Sequence, residues 1–129
     1  MNIGEAAKAS GVSAKMIRYY EATGLLRAAA RRENGYRDYG RAAVHELRFI
    51  RRARTLGFGT AEIVALLSLW RDRSRASRDV HALASRHVAE LEARIAEMQA
   101  MTETLRDLVT ACHGDDRPDC PILEDLCSR

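Results

Sequence analysis

The sequence predicts a mainly α-helical chain in three parts: a winged helix-turn-helix module, one long helix and a cysteine-bearing C-terminal loop. Three observations lead there. Two short helical segments near the N-terminus are separated by a Gly-containing turn, and an Asn-Gly pair follows them. From Ala84 onward a mostly apolar residue recurs at alternating spacings of four and three, the a/d pattern of a long helix that packs against another. Directly after that repeat, Cys112 and Cys120 bracket a short polar stretch.

Each element has local signals. Asn2 is placed to cap a helix from Ile3 to about Ala9, and Gly11 breaks the chain. Ser13 caps a second helix running to about Thr23, which Gly24 ends. Ala6, Ala7, Val12, Met16, Ile17 and Leu25 supply the inward face. The segment Leu25–Tyr39 has extended character around Asn34-Gly35, a pair that tolerates the positive φ of a type I′ hairpin turn. A hairpin after a helix-turn-helix is a wing. A third helix is expected from about Arg41 to Leu56, with Val44, Leu47, Ile50 and Leu56 inward. Gly57 stops it. Thr60 is placed to cap a fourth helix, ending near Trp70 and burying Ile63, Leu66 and Leu67.

After an arginine-rich break, Ser77 has the character of an N-cap and Asp79 suits the first turn of a long helix over 77–111. Its seam reads Ala84, Val88, Leu91, Ile95, Met98, Thr102, Leu105, Val109. Such a helix spans roughly 50 Å at about 1.5 Å per residue, too long for a small domain to cover. A partner helix, most simply from a second copy of the chain, is the economical answer; packing of the seam on residues 41–70 is the alternative. The expected organisation is therefore 1–70, 77–111 and 112–129.

Charge separates these parts. Residues 1–60 carry 12 Lys/Arg against 5 Asp/Glu, whereas residues 79–129 carry 5 against 11. A basic first half suggests a polyanion partner for that half alone. Lys15 and Arg18, three apart on the second helix, can both point into a major groove, flanked by Ser13, Tyr19 and Tyr20. Around the Asn-Gly turn, Arg31, Arg32, Tyr36, Arg37 and Tyr39 offer cations and phenols suited to a phosphate backbone. Taken singly, each of these is also an ordinary surface cation or a core tyrosine. No run of about 18 apolar residues is present, and the start lacks the pattern of a signal peptide. A cytoplasmic location is expected, where the three cysteines stay reduced.

Cys112 and Cys120 have seven residues between them, which is not a zinc-finger spacing, and no second pair completes a four-cysteine site. Two thiolates without further evident ligands suit a soft ion of low coordination number such as Cu(I). The bland alternative is two unrelated surface thiols.

The stretches Ile3-Gly-Glu-Ala-Ala7, Met16-Ile-Arg-Tyr-Tyr-Glu21, Gly24-Leu-Leu26 and Arg32-Glu-Asn-Gly-Tyr-Arg-Asp-Tyr39 resemble the MerR family of transcriptional regulators. The resemblance runs over nearly the whole chain. It implies a homodimer joined by an antiparallel coiled coil of the long helices, with each winged-helix arm on half of a palindromic operator. It also implies an effector that makes the dimer bend and untwist promoter DNA so that RNA polymerase can engage it, a readout through DNA deformation. In the divalent-metal branches of the family a cysteine starts the dimerisation helix. Here Ser77 stands there, which is similar to the copper/silver/gold-responsive (CueR-like) branch, as is Pro121-Ile122-Leu123. Charge agrees, because a bis-thiolate around a monovalent ion is an anion that the N-terminus of the long helix, uncrowded by a third thiolate, favours. The implied cofactor is Cu(+), with Ag(+) or Au(+) as other inducers, one ion per subunit held by Cys112 and Cys120, and Ser77 setting selectivity. The implied output is activation of metal-resistance or efflux genes.

Two residues depart from that branch: His113, where a proline is expected, and the lone Cys127, which reads as accessory in a disordered tail. They keep open a Zn(II)- or Pb(II)-responsive regulator of the same family. A cytosolic metal-storage or chaperone protein is an alternative of another class. For an enzyme there is little support, since His45, His81, His87 and His113 are scattered and no nucleophile–base arrangement is legible.

Overall fold

In a computed structural model of the chain, residues 1–27, 30–31 and 37–128 are described, with backbone alone for Ala30, Arg31 and Arg37. The elements are α1 (Ile3–Ser10), α2 (Ala14–Ala22), β1 (Ala30–Arg31), β2 (Arg37–Asp38), α3 (Arg41–Thr55), α4 (Thr60–Arg71), α5 (Ser77–Ala111) and α6 (Pro121–Ser128). They fall into two units, Met1–Leu83 and Ala84–Arg129, so α5 contributes its first seven residues to one and the rest to the other.

Local chemistry sets the helix-turn-helix. The Asn2 side chain accepts from the Glu5 amide at 2.8 Å, and the Glu5 carboxylate accepts from the Asn2 amide at 3.0 Å. This reciprocal capping box satisfies two amides at the start of α1 and contributes about 1 kcal/mol. Gly11 closes α1 with φ 76°, and a Cβ there would also meet the Arg51 guanidinium at 2.7 Å. Ser13 Oγ then accepts from the Met16 amide at 3.2 Å and starts α2.

In the first unit α1 packs on α2 and α3, and α3 packs on α4. Ala6, Val12, Ile17, Leu25, Leu26, Leu47, Ile50, Ile63 and Leu67 form the core, joined by Tyr20 and Tyr39. A bidentate ion pair ties the end of α4 to α3: Arg71 Nε and Nη2 each donate to a Glu46 carboxylate oxygen at 2.8 Å. That pairing holds the Arg71 guanidinium above its usual range. β1 and β2 pair antiparallel, Ala30 with Asp38 and Arg31 with Arg37. The expected Asn34-Gly35 turn lies outside the described residues.

Three sequence expectations are corrected. Leu56 is 47% exposed; α3 ends at Thr55, and Ala53 takes the last inward position after Val44, Leu47 and Ile50. The cap of α4 is Gly59 rather than Thr60, with Glu62 accepting from the Gly59 amide at 3.0 Å. Residues 121–128 form α6, not a disordered tail.

The second unit holds the heptad seam. Val88, Ile95, Met98, Leu105 and Val109 are 51–62% exposed. Among the described residues no helix is long and apolar enough to cross a membrane.

Candidate nucleic-acid interface and metal centre

α2 divides by its 3.6-residue period into two faces. Ile17 and Tyr20 point into the core, while Ser13, Lys15, Arg18 and Tyr19 are exposed. Tyr20, expected to offer its phenol to DNA, is only 4% exposed and lies one helical step beyond Ile17. Its hydroxyl accepts from Arg54 Nη1 at 3.1 Å. Tyr39, grouped with the wing by its neighbours in sequence, is likewise core, and its hydroxyl donates to Glu21 at the end of α2. The two tyrosines thus tie α2 to the core and to the residue after β2, leaving Lys15, Arg18 and Tyr19 outward.

Arg31 and Arg37 lie opposite each other in the β1–β2 ladder. Tyr36 and Arg32 lie outside the described residues, as do the side-chain positions of Arg31 and Arg37. The base of this hairpin is pinned to the start of the fold: the Tyr39 amide donates to the Met1 carbonyl at 2.7 Å.

The second unit brings Cys112 and Cys120 together. Their sulfurs are 4.0 Å apart and both residues are half-buried free cysteines. Cys112 follows the last turn of α5, its amide donating to the Leu108 and Val109 carbonyls at 3.0 and 3.2 Å. Gly114, with φ 66°, turns the chain out of the helix. Asp115 then accepts from the Arg117 guanidinium and the Arg117 amide, which hold its carboxyl below the usual range and brace the loop. Cys120 immediately precedes α6, its carbonyl accepting from the Glu124 amide at 3.1 Å.

That position explains the electrostatics of Cys120. The first amides of a helix lack intrahelical acceptors and point outward. Those of Leu123, first, and of Ile122 lower the Cys120 thiol, aided by Cys112 and opposed by burial and by Glu124. The sequence carried signals for this helix: Pro121 in its first position and Glu124 in its first turn. Ser77, the selectivity candidate, is exposed at the first helical position of α5, one residue inside the N-cap place expected for it. His113 and Cys127 are both exposed.

Residues 1–69 match the family described as MerR HTH family regulatory protein, and residues 44–108 match that described as MerR, DNA binding. The chain belongs to the MerR family of transcriptional regulators. This is a family of DNA-binding regulators, not a class of enzymes. Among its relatives, Heavy metal-dependent transcription regulator 2 of Rhizobium meliloti (strain 1021) is 64% identical over 126 residues, covering 98% of this chain and 86% of the relative. The HTH-type transcriptional regulator CueR of Escherichia coli O6:H1 is 44% identical over 126 residues, covering 98% and 93%. Among solved structures, the transcription regulator PbrR691 from Ralstonia metallidurans CH34 in complex with lead(II) superposes with a TM-score of 0.86 at 33% identity, covering 98% of each chain. The long helix and the C-terminal segment of this MerR-family chain thus lie within the matched length.

Proposed function

We propose that the chain is a metal-responsive transcriptional activator that senses Cu(I), with Ag(I) and Au(I) as further inducers, through Cys112 and Cys120. The observation that carries this reading is the pair of sulfurs 4.0 Å apart at the start of α6. At about 2.3 Å per metal–sulfur bond, a tetrahedral ion sets two sulfurs roughly 3.8 Å apart and a linear one roughly 4.6 Å. The separation therefore accepts one ion of either kind, and the choice rests on charge. A monovalent ion with two thiolates leaves a net negative site, which the outward amides of α6 favour. A divalent ion in the same pair would be neutral and gain less. Ser77 adds no third thiolate at the start of α5, and the likeness to CueR points the same way.

In this reading residues 1–70 form the DNA-binding domain, 77–111 the dimerisation helix and 112–129 the metal-binding segment. The exposed seam of α5 joins two copies. Ser13, Lys15, Arg18 and Tyr19 meet one half of a palindromic operator, with Arg31, Tyr36 and Arg37 in the wing. Metal biases a two-state dimer toward the form that distorts promoter DNA for RNA polymerase and activates metal-resistance or efflux genes. The site of action is the cytoplasm.

The likeness to a lead(II)-bound regulator favours one second reading, a Pb(II)- or Zn(II)-responsive protein that recruits His113 and Cys127. X-ray absorption of the metal-loaded protein and induction from the cognate promoter separate the two. Two sulfurs alone around copper, with induction by copper at concentrations where zinc and lead are silent, is the expected result. Three or more ligands, or induction by zinc or lead alone, would sink the monovalent reading.

A further inference from the structure

The outer face of α3 carries a group of cations that the α2 face and the wing do not account for. Arg48, Arg51 and Arg52, with Ser10 and Thr55, line an open cavity of about 230 Å³. All five side chains carry a donor, that of Thr55 already given to the Arg51 carbonyl at 3.0 Å, and no carboxylate is among them. Arg48 is fixed by its Nε and Nη2, which donate to the Ala9 carbonyl at 3.0 and 2.8 Å. Its remaining guanidinium nitrogen is left for another acceptor. Arg51 rests over Gly11, where an added Cβ would stand 2.7 Å from Nη1. Among the described residues neither the Arg51 nor the Arg52 guanidinium has an ion pair or hydrogen bond. Two uncompensated guanidinium groups beside a third make a fork-shaped donor set for an oxyanion.

Position selects the anion. The turn under Arg51 leads from Gly11 to Ser13, the cap of α2, and so into Lys15 and Arg18. We propose that the Arg48–Arg51–Arg52 cluster is a phosphate-binding site that takes a phosphodiester of the operator duplex beside the groove α2 enters. The inference rests on the DNA-binding reading above. A phosphodiester suits an open, one-sided cavity, because the strand continues past it on both sides. Each phosphate so neutralised releases counterions and steepens the salt dependence of binding without reading sequence.

The test uses the full chain, a labelled operator duplex and an unrelated duplex, titrated between about 50 and 200 mM salt. Replacing Arg51 and Arg52 with Ala should weaken both duplexes by the same factor. The slope of log affinity against log salt should fall by about 1 for each phosphate no longer neutralised. Arg51→Lys keeps the charge and should retain most of the slope, and the helical circular dichroism of each variant reports its folding. Arg94→Ala and Arg106→Ala, exposed cations of α5, should leave the slope unchanged. An unaltered slope in the double variant, with the parent chain still selecting operator, overturns this inference alone. So does normal DNA binding with lost transcription, which would assign the cluster to an acidic protein surface. A parent chain that fails to select operator overturns the DNA-binding reading and this inference with it.

Discussion

The two units of the chain treat apolar surface in opposite ways. Residues 1–83 enclose most of theirs, with Leu56, Val64 and Trp70 left about half-exposed: Ile17, Leu47, Ile50, Ile63 and Leu67 are all essentially inaccessible, and two tyrosines that sequence places near the recognition surface are drawn in as well. Residues 84–129 leave theirs open along the α5 seam and again at Leu123 and Leu126 of α6. The charge differs in the same sense, basic in the first and acidic in the second. A unit that completes its own core can present a fixed surface to a rigid partner such as a duplex. One that leaves a seam exposed has its final form set by what covers it, which is where an effector can act. Under the proposed function, output belongs to the first unit and input to the second.

The largest expected effect falls on the input. Cys120→Ser removes one of the two sulfurs and the group that the Leu123 and Ile122 amides face. Metal-dependent transcription should be lost entirely, while operator affinity without metal stays within about twofold, since a surface change far in sequence from α2 adds little. Run-off transcription and operator titration on one preparation give both numbers. A variant that still responds to copper would break the two-thiolate site, and one that lost operator binding would break the division into input and output.

Next comes the contrast between enclosed and open apolar residues. Ile50→Ala empties a fully buried position of α3 and should cost about 2–5 kcal/mol. Ile95→Ala, on the open seam, removes surface that only a partner covers. Its midpoint of denaturation should therefore fall mainly through weaker association, and the fall should shrink as protein concentration rises. Denaturant titrations at two concentrations tenfold apart check this. A concentration-independent loss for Ile95→Ala would mean that the seam is covered within one chain.

These contrasts also mark how far the sequence was legible. Caps and breaks are local, so Asn2, Gly11, Ser13 and Gly24 could be placed from neighbouring residues alone, and the helices they bound lie within a residue or two of expectation. The two cysteines, whose sulfurs stand 4.0 Å apart, could be singled out as a pair from residue type and spacing alone. Tyr19 and Tyr20 were not separable by type; only the register of α2 against the core makes one exposed and the other buried. Tyr39 was misplaced for the same reason, since its partner Glu21 is 18 residues away. Leu56 follows the apolar period of α3 but falls beyond the helix end, where the period no longer fixes direction. α6 is short, and its Pro and Glu start signals lie in a stretch read as loop and tail.

The smallest expected effect is also the one that sharpens the charge argument. Ser77→Cys adds a thiol at the first position of α5 without altering the Cys112–Cys120 pair. A third thiolate in the dimer would make a divalent site anionic and a monovalent site doubly so. The first gains from outward helix amides, whereas the second adds repulsion among sulfurs that a linear ion does not coordinate. Helix-end terms of this kind are worth about 0.3–1 kcal/mol at exposed positions, so preference should shift by only a few fold. Competition titrations of copper against zinc and lead, comparing the two proteins, read that shift directly. Movement toward the divalent ions would show that Ser77 acts by withholding charge, while an unchanged ratio would place selectivity wholly within the loop and α6.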